Sequence, residues 1–132
     1  MQPSFELDKY EIISCTYKRN EPEGDRQEGS VNFEYLAQRG EEDPSKFRVE
    51  IKTTLKGLAD IELVIAGYFT STGLLDESDI QEALLFSSLF LLIPFIRSYI
   101  HTISCQDGRP AVIVPVINVT HLLNSHLDDD EE

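Results

Sequence analysis

The sequence has no tryptophan, one methionine, two cysteines, and only 11 lysines and arginines against 24 acids. Each shortage excludes something. Cys15 and Cys105 lie far apart and belong to no C-x-x-C pair, so neither a disulfide framework nor a thiolate zinc site is written into the chain. A reducing, cytoplasmic setting is expected. The formal net charge of −13 opposes phosphate backbones and anionic lipid, which makes nucleic acid a poor partner. The seven glycines are scattered at turns, and none builds a phosphate-cradling loop. The opening MQPSFELDKYEI has neither a basic stretch nor an apolar core, so no secretory leader is expected in it.

Catalytic constellations are missing as well. His121 and His126 are five apart with no cysteine or carboxylate at ligand spacing. His101 sits in a largely apolar run, where a histidine is usually structural. Ser87, Ser88 and Ser104 lack a nucleophile-elbow context. The acids gather in loops and in the closing run Asp128–Glu132, the pattern of a solvated surface. The expectation is a protein that is not an enzyme and holds no cofactor and no metal.

What is present is one long apolar stretch, Ala83–Ile103, uncharged between Glu82 and Arg97. Leu85, Leu89, Ile93, Ile96, Ile100 and Ile103 recur three or four apart, the spacing of one helix face. Leu84, Phe86, Phe90, Leu91, Leu92 and Phe95 make its first half apolar all round, so it needs cover on several sides. Membrane insertion is not expected: Ala83–Ile96 falls short of the roughly 20 apolar residues of a span, and extending it recruits Arg97 and His101. Pro94 predicts a break or kink, with a second segment starting there.

Before this stretch the chain reads as strands. Phe5–Tyr17 is irregular, and its charges at Asp8-Lys9 and Glu11 suggest a bulged edge strand. Val31–Ala37 alternates, with Val31, Phe33, Tyr35 and Ala37 on one face. Phe47–Leu55 alternates most clearly and Ile61–Phe69 returns after a tight turn, a hairpin with one dry and one wet face. Gly67 leaves a gap in the dry row, where another backbone has room to approach. Asp76-Glu77-Ser78-Asp79 marks the helix start. Asp107–Pro110 reads as a turn and the run to Ile117 as an extended connection, with Asn118 capping a short helix, Val119–Leu127. The expected fold class is α+β: a four-stranded antiparallel sheet with the long helix and a short C-terminal helix on one face. It forms one domain over residues 1–127, followed by a disordered acidic tail at 128–132. The excess apolar surface of the long helix predicts a homo-oligomer.

The stretch from Leu92 to Leu123 carries a resemblance. LIPFIRSYI, a turn with Pro110, and then PVINVTHLL are similar to the C-terminal half of the SecB export-chaperone family, with Pro94, Phe95, Arg97, Ile100, Pro110 and Asn118 in its pattern. Upstream, FRVEIKTTL and the strand ending Gly67-Tyr68-Phe69 resemble its third and fourth strands, and Ile13-Ser14 echoes its first. Pro115-Val116-Ile117-Asn118 is one residue longer than the family form. The resemblance implies a SecB-like fold, a tetramer or dimer packed through the long helix at Leu85, Leu89, Ile93, Ile96 and Ile100, and a holdase for unfolded or nascent polypeptides that serves protein export. It implies a peptide groove at Tyr17, Phe33, Tyr35, Tyr68, Val112 and Leu122. It also implies docking of the SecA motor through outer-face acids, for which Glu62 matches and Glu11 stands beside a position that does not. A SecB-like protein devoted to one client, such as an antitoxin, is the narrower alternative. A hot-dog-type thioesterase shares the layout of sheet and central helix, but needs an acid along the helix, and after Glu82 none occurs up to Ile103.

Overall fold

A computed structural model describes residues 4–20, 30–72, 77–106, 108 and 111–112. Four strands, β1 (Ser4–Arg19), β2 (Ser30–Arg39), β3 (Lys46–Lys56) and β4 (Ala59–Thr72), precede one helix, α1 (Glu77–Ser104). The expected short helix Val119–Leu127, the connection through Pro115 and the acidic tail lie outside the described residues.

The sheet forms because β3 and β4 are two alternating runs joined at Gly57-Leu58. Their pairing sets Phe47 against Phe69, Val49 against Gly67, Ile51 against Ile65, Thr53 against Leu63 and Leu55 against Ile61. This puts Phe47, Val49, Ile51, Leu55, Ile61, Leu63, Ile65 and Phe69 on one face, where all are buried. β2 pairs with β3 without interruption, and β1 closes the other side against β4, giving the order β1-β4-β3-β2 with all neighbours antiparallel. β1 is an edge strand, as expected, and is bulged twice, between Leu7 and Lys9 and between Ile12 and Ser14. The two extra residues explain its irregular pattern. They return Leu7, Tyr10, Ile12, Cys15 and Tyr17 to the dry face after each slip.

α1 lies across the dry face on β1 and β4. Gly67 makes the close approach possible, through a side chain and not a backbone. A Cβ at Gly67 would sit 3.0 Å from Leu92 Cδ1 and 2.9 Å from Phe69 Cε2, so Leu92 fills the space that the missing side chain leaves. The C-terminal end is tied down by Ser104, whose hydroxyl donates to the His101 carbonyl (3.1 Å) and accepts from the Val112 N–H (2.7 Å).

Two expectations about the helix need correction. It runs unbroken through Pro94. The carbonyl that proline deprives of a donor is that of Phe90, four residues earlier. Phe90 and Pro94 are both exposed, so water can take up that bond while burial of Leu89, Leu92, Ile93 and Ile96 against the sheet holds the turns on either side. The unbroken helix also removes length as a ground for excluding a membrane: Ile80–Ser104 is long and apolar enough by composition to cross one. In the structure the helix lays Leu84, Leu92, Ile96 and Ile100 against its own chain.

Candidate interaction surfaces

Among the described residues no group of histidine, cysteine and carboxylate side chains converges as a metal site. Cys15 and Cys105 are free thiols. Burial raises the Cys15 thiol pKa above its ordinary value, partly offset by the Tyr99 side chain beside it. What the molecule offers is surface, in three distinct patches.

The first is the outward side of α1. Leu85, Leu89, Ile93, Ile96 and Ile100, expected at a subunit interface, are all buried in the chain's own core. A helix apolar all round can turn either side to its sheet, and the sheet has taken the side with the aliphatic ladder. The outward side instead carries Phe86 and Phe90, four residues apart and therefore on one strip. Their rings stack at 6.1 Å and 11°, and Phe90 is 60% exposed. Phe95 is on the β1 flank, stacked on Tyr10 at 4.4 Å.

The second patch is the dry face at its β2 margin. Val31, Phe33, Tyr35 and Ala37 are half-buried, packed against the core from one side only. Tyr35 reaches inward toward Ser88, with its hydroxyl buried and without a hydrogen-bond partner. That burial, eased slightly by Ser88, pushes its phenol up to about 12. Thr53 on β3, opposite Phe33, likewise buries a hydroxyl without a partner.

The third is the wet face of the sheet, a lattice of charges around Tyr68. The Tyr68 hydroxyl donates to Glu11 (2.5 Å) and accepts from Arg48 Nε (3.2 Å), while Lys9 lies 4.8 Å over its ring. Arg48 also pairs with Glu50 at 3.1 Å, Lys52 with Glu62 at 3.4 Å, and Lys46 with Asp8 at 3.8 Å. The hydrogen bonds that Arg48 donates to Tyr68 and Glu50 raise its pKa above the ordinary value.

The expected groove residues therefore divide. Tyr17, Phe33 and Tyr35 share the dry face as half-buried side chains. Val112 is on the same side but is core, tied to Ser104. Tyr68 is on the opposite face, because it alternates with Gly67 and Phe69. Leu122 lies outside the described residues. The acids expected to dock a partner, Glu11 and Glu62, are both on the wet face, but each is engaged within its own sheet. Phe86 and Phe90 were in view in the sequence as part of an apolar run. Nothing in the pattern told which side of that run faces out.

No protein-family model matches the chain, and no curated protein does. Among solved structures it is similar to a SecB-like chaperone of Mycobacterium tuberculosis, solved in complex with a ChAD peptide from the HigA1 antitoxin. The TM-score is 0.66 at 15% identity, over 86% of this chain and 90% of that one. A protein of unknown function from Streptococcus agalactiae matches with TM-score 0.66 at 14% identity, over 88% of this chain and all of the other. The fold is SecB-like, as the sequence resemblance implied.

Proposed function

We propose that this chain, SecB-like in fold, is a non-catalytic holdase that binds unfolded or nascent polypeptides in the cytoplasm. The observation that carries the reading is the uncovered apolar surface: the Phe86–Phe90 strip on α1 and the half-buried row of β2, on a fold whose neighbour holds a peptide. Apolar strips of this kind mark sites of association, and the net charge of −13 keeps a client-loaded complex in solution. The Phe86–Phe90 strip serves assembly, as a dimer or tetramer, and the β2 margin serves the client. Purified protein at stoichiometric amounts is expected to slow the aggregation of a denatured substrate, followed by light scattering. No slowing across several unrelated substrates would sink the holdase reading.

A narrower reading, one client instead of many, has an observation of its own in its favour. Glu11 and Glu62 are held by Tyr68 and Lys52, which weakens the case for export through SecA. It also draws on the neighbour, whose peptide comes from an antitoxin.

A further inference from the structure

Two depressions in the wet face differ in sign. One, of about 280 Å³, has Glu34 and Glu50 in its lining against Lys52. The other, of about 380 Å³, lies where the end of β2 meets the start of β3 beside Tyr68, and has Arg39, Lys46 and Arg48 in its lining against one acid, Asp8. In a chain with 11 lysines and arginines against 24 acids, that local excess of cations runs against the whole molecule. The ion pairs within the sheet do not use it up. Arg48 gives Nε to Tyr68 and one Nη to Glu50, which leaves the other Nη of its five-donor fork for a further partner. Lys46 donates to Thr70 Oγ1 at 2.7 Å, but stands 3.8 Å from Asp8, beyond hydrogen-bond range. Gln38, opposite Arg48 on β2, is exposed and adds an amide to the rim.

Lys46 and Arg48 are two apart on β3, so both stand on the wet face, about 7 Å from one another along the strand. An extended polypeptide presents its residues i and i+2 on one side at that same pitch. From this match of charge and spacing we infer that the depression docks an acidic segment of a partner protein, with carboxylates at alternate positions meeting Lys46 and Arg48. A guanidinium takes a carboxylate through two parallel hydrogen bonds. Phosphate fits less well, because Asp8, Glu11 and Glu50 stand in the same lattice and repel a dianion more strongly than a single charge. Asp8 is the competitor already in place. The Thr70 hydroxyl donates to it (2.5 Å) while accepting from Lys46, and the Asp8–Lys46 pair is 41% and 54% exposed, a geometry that holds the two together only weakly. An incoming carboxylate therefore displaces little. The net charge of −13 opposes an acidic segment at a distance, but screening over about 8 Å at physiological salt leaves the decision to charges in contact. The sign is opposite to the docking implied for Glu11 and Glu62, so this is a separate site, and it does not depend on the holdase reading.

The test uses the full chain and two blocked peptides, one alternating glycine with glutamate and the other alternating glycine with glutamine. Binding is followed by amide chemical shifts in a nuclear magnetic resonance titration, which also reports whether each variant is folded. The glutamate peptide is expected to move amides at residues 38–40, 46–48 and 68–70, and the glutamine peptide to bind at least about tenfold more weakly. Lys46→Gln is expected to weaken the glutamate peptide about threefold, the size of one exposed charge contact. Asp8→Asn should do the reverse and strengthen it by a similar factor, a gain that damage to the fold does not produce. Equal binding of the two peptides, shifts confined to other parts of the sheet or to α1, or an Asp8→Asn variant that binds no better would overturn the inference. So would inorganic phosphate that displaces the peptide at equal concentration, since the site would then take any anion. A full-length chain with Asp128, Asp129, Asp130, Glu131 and Glu132 replaced by asparagine or glutamine is expected to bind the peptide as the wild type does. Binding seen only in that variant would overturn the partner as occupant, because the chain's own acids would then hold the cations.

Discussion

The two sides of α1 are both apolar over the first half of the helix and opposite in environment. One side, Leu85, Leu89, Leu92, Ile96 and Ile100, is buried on the sheet. The other, with Phe86 and Phe90 stacked along it, faces water. Hydrophobicity therefore says that this helix needs cover but not from what, and shape decides the first partner. Branched and γ-branched aliphatic side chains interdigitate with the Val49, Ile51, Leu63 and Ile65 carpet of β3 and β4, and Leu92 enters the notch at Gly67. The two phenylalanines are left exposed.

The sharpest way to test that division is to damage the inward side. Ile96 is fully buried, so Ile96→Ala removes three methyl or methylene groups and leaves a cavity that the sheet can only partly close. A loss of about 2–5 kcal/mol is expected, read as a lower urea midpoint with unchanged slope. A loss under about 1 kcal/mol would mean that the helix is not seated on the sheet as described.

A smaller effect is expected at the boundary between the two sides, where Tyr35 reaches toward Ser88. Its phenol is raised from the ordinary value of 10 to about 12 by burial. The sign follows from proton counting: between pH 10 and 12 the unfolded chain releases this proton and the folded chain keeps it. The stability it supports is therefore complete below about pH 10 and lost as pH rises toward 12, at up to about 1.4 kcal/mol per pH unit. Tyr35→Phe should remove that part of the alkaline loss. At pH 7 the same change should cost little, because the hydroxyl it deletes has no hydrogen-bond partner. Identical alkaline profiles for the two proteins would place Tyr35 in water.

These same regions mark where the sequence was readable. The β3–β4 hairpin was, since a strict period of two permits one inward face and the register follows from it. β1 was legible as a bulged edge because charges interrupt its pattern, although the positions of the bulges were not. The continuity of α1 was not legible: proline's penalty is local, while the packing that overrides it comes from strands some 20 or more residues earlier. Nor was the interface. Six aliphatic residues at helical spacing describe a buried face equally well whether the cover is the chain's own sheet or another subunit. Tyr68 shows the reverse case. Its alternation with Phe69 already put it on the wet face, and only the grouping taken from the resemblance set it beside Tyr17 and Phe33.

The last prediction concerns the outward side, where the effect on the folded chain is the smallest. Phe90 is 60% exposed and its main described neighbour is another exposed ring. Phe90→Gln removes little buried area, so the stability of a single chain should change by no more than about 0.5 kcal/mol. If the strip is covered in an oligomer, the same substitution places a polar amide in an apolar interface on every copy and should lower the molar mass measured by light scattering. The apparent stability of the wild type should then rise with protein concentration, as it does for any folded state that binds itself, while that of the variant should not. The pair Ile96→Ala and Phe90→Gln thus separates the two sides by different observables, stability for one and assembly for the other. A wild type that is monomeric at all concentrations would leave the Phe86–Phe90 strip free for clients, and the variant's loss would then appear in aggregation suppression instead of in mass.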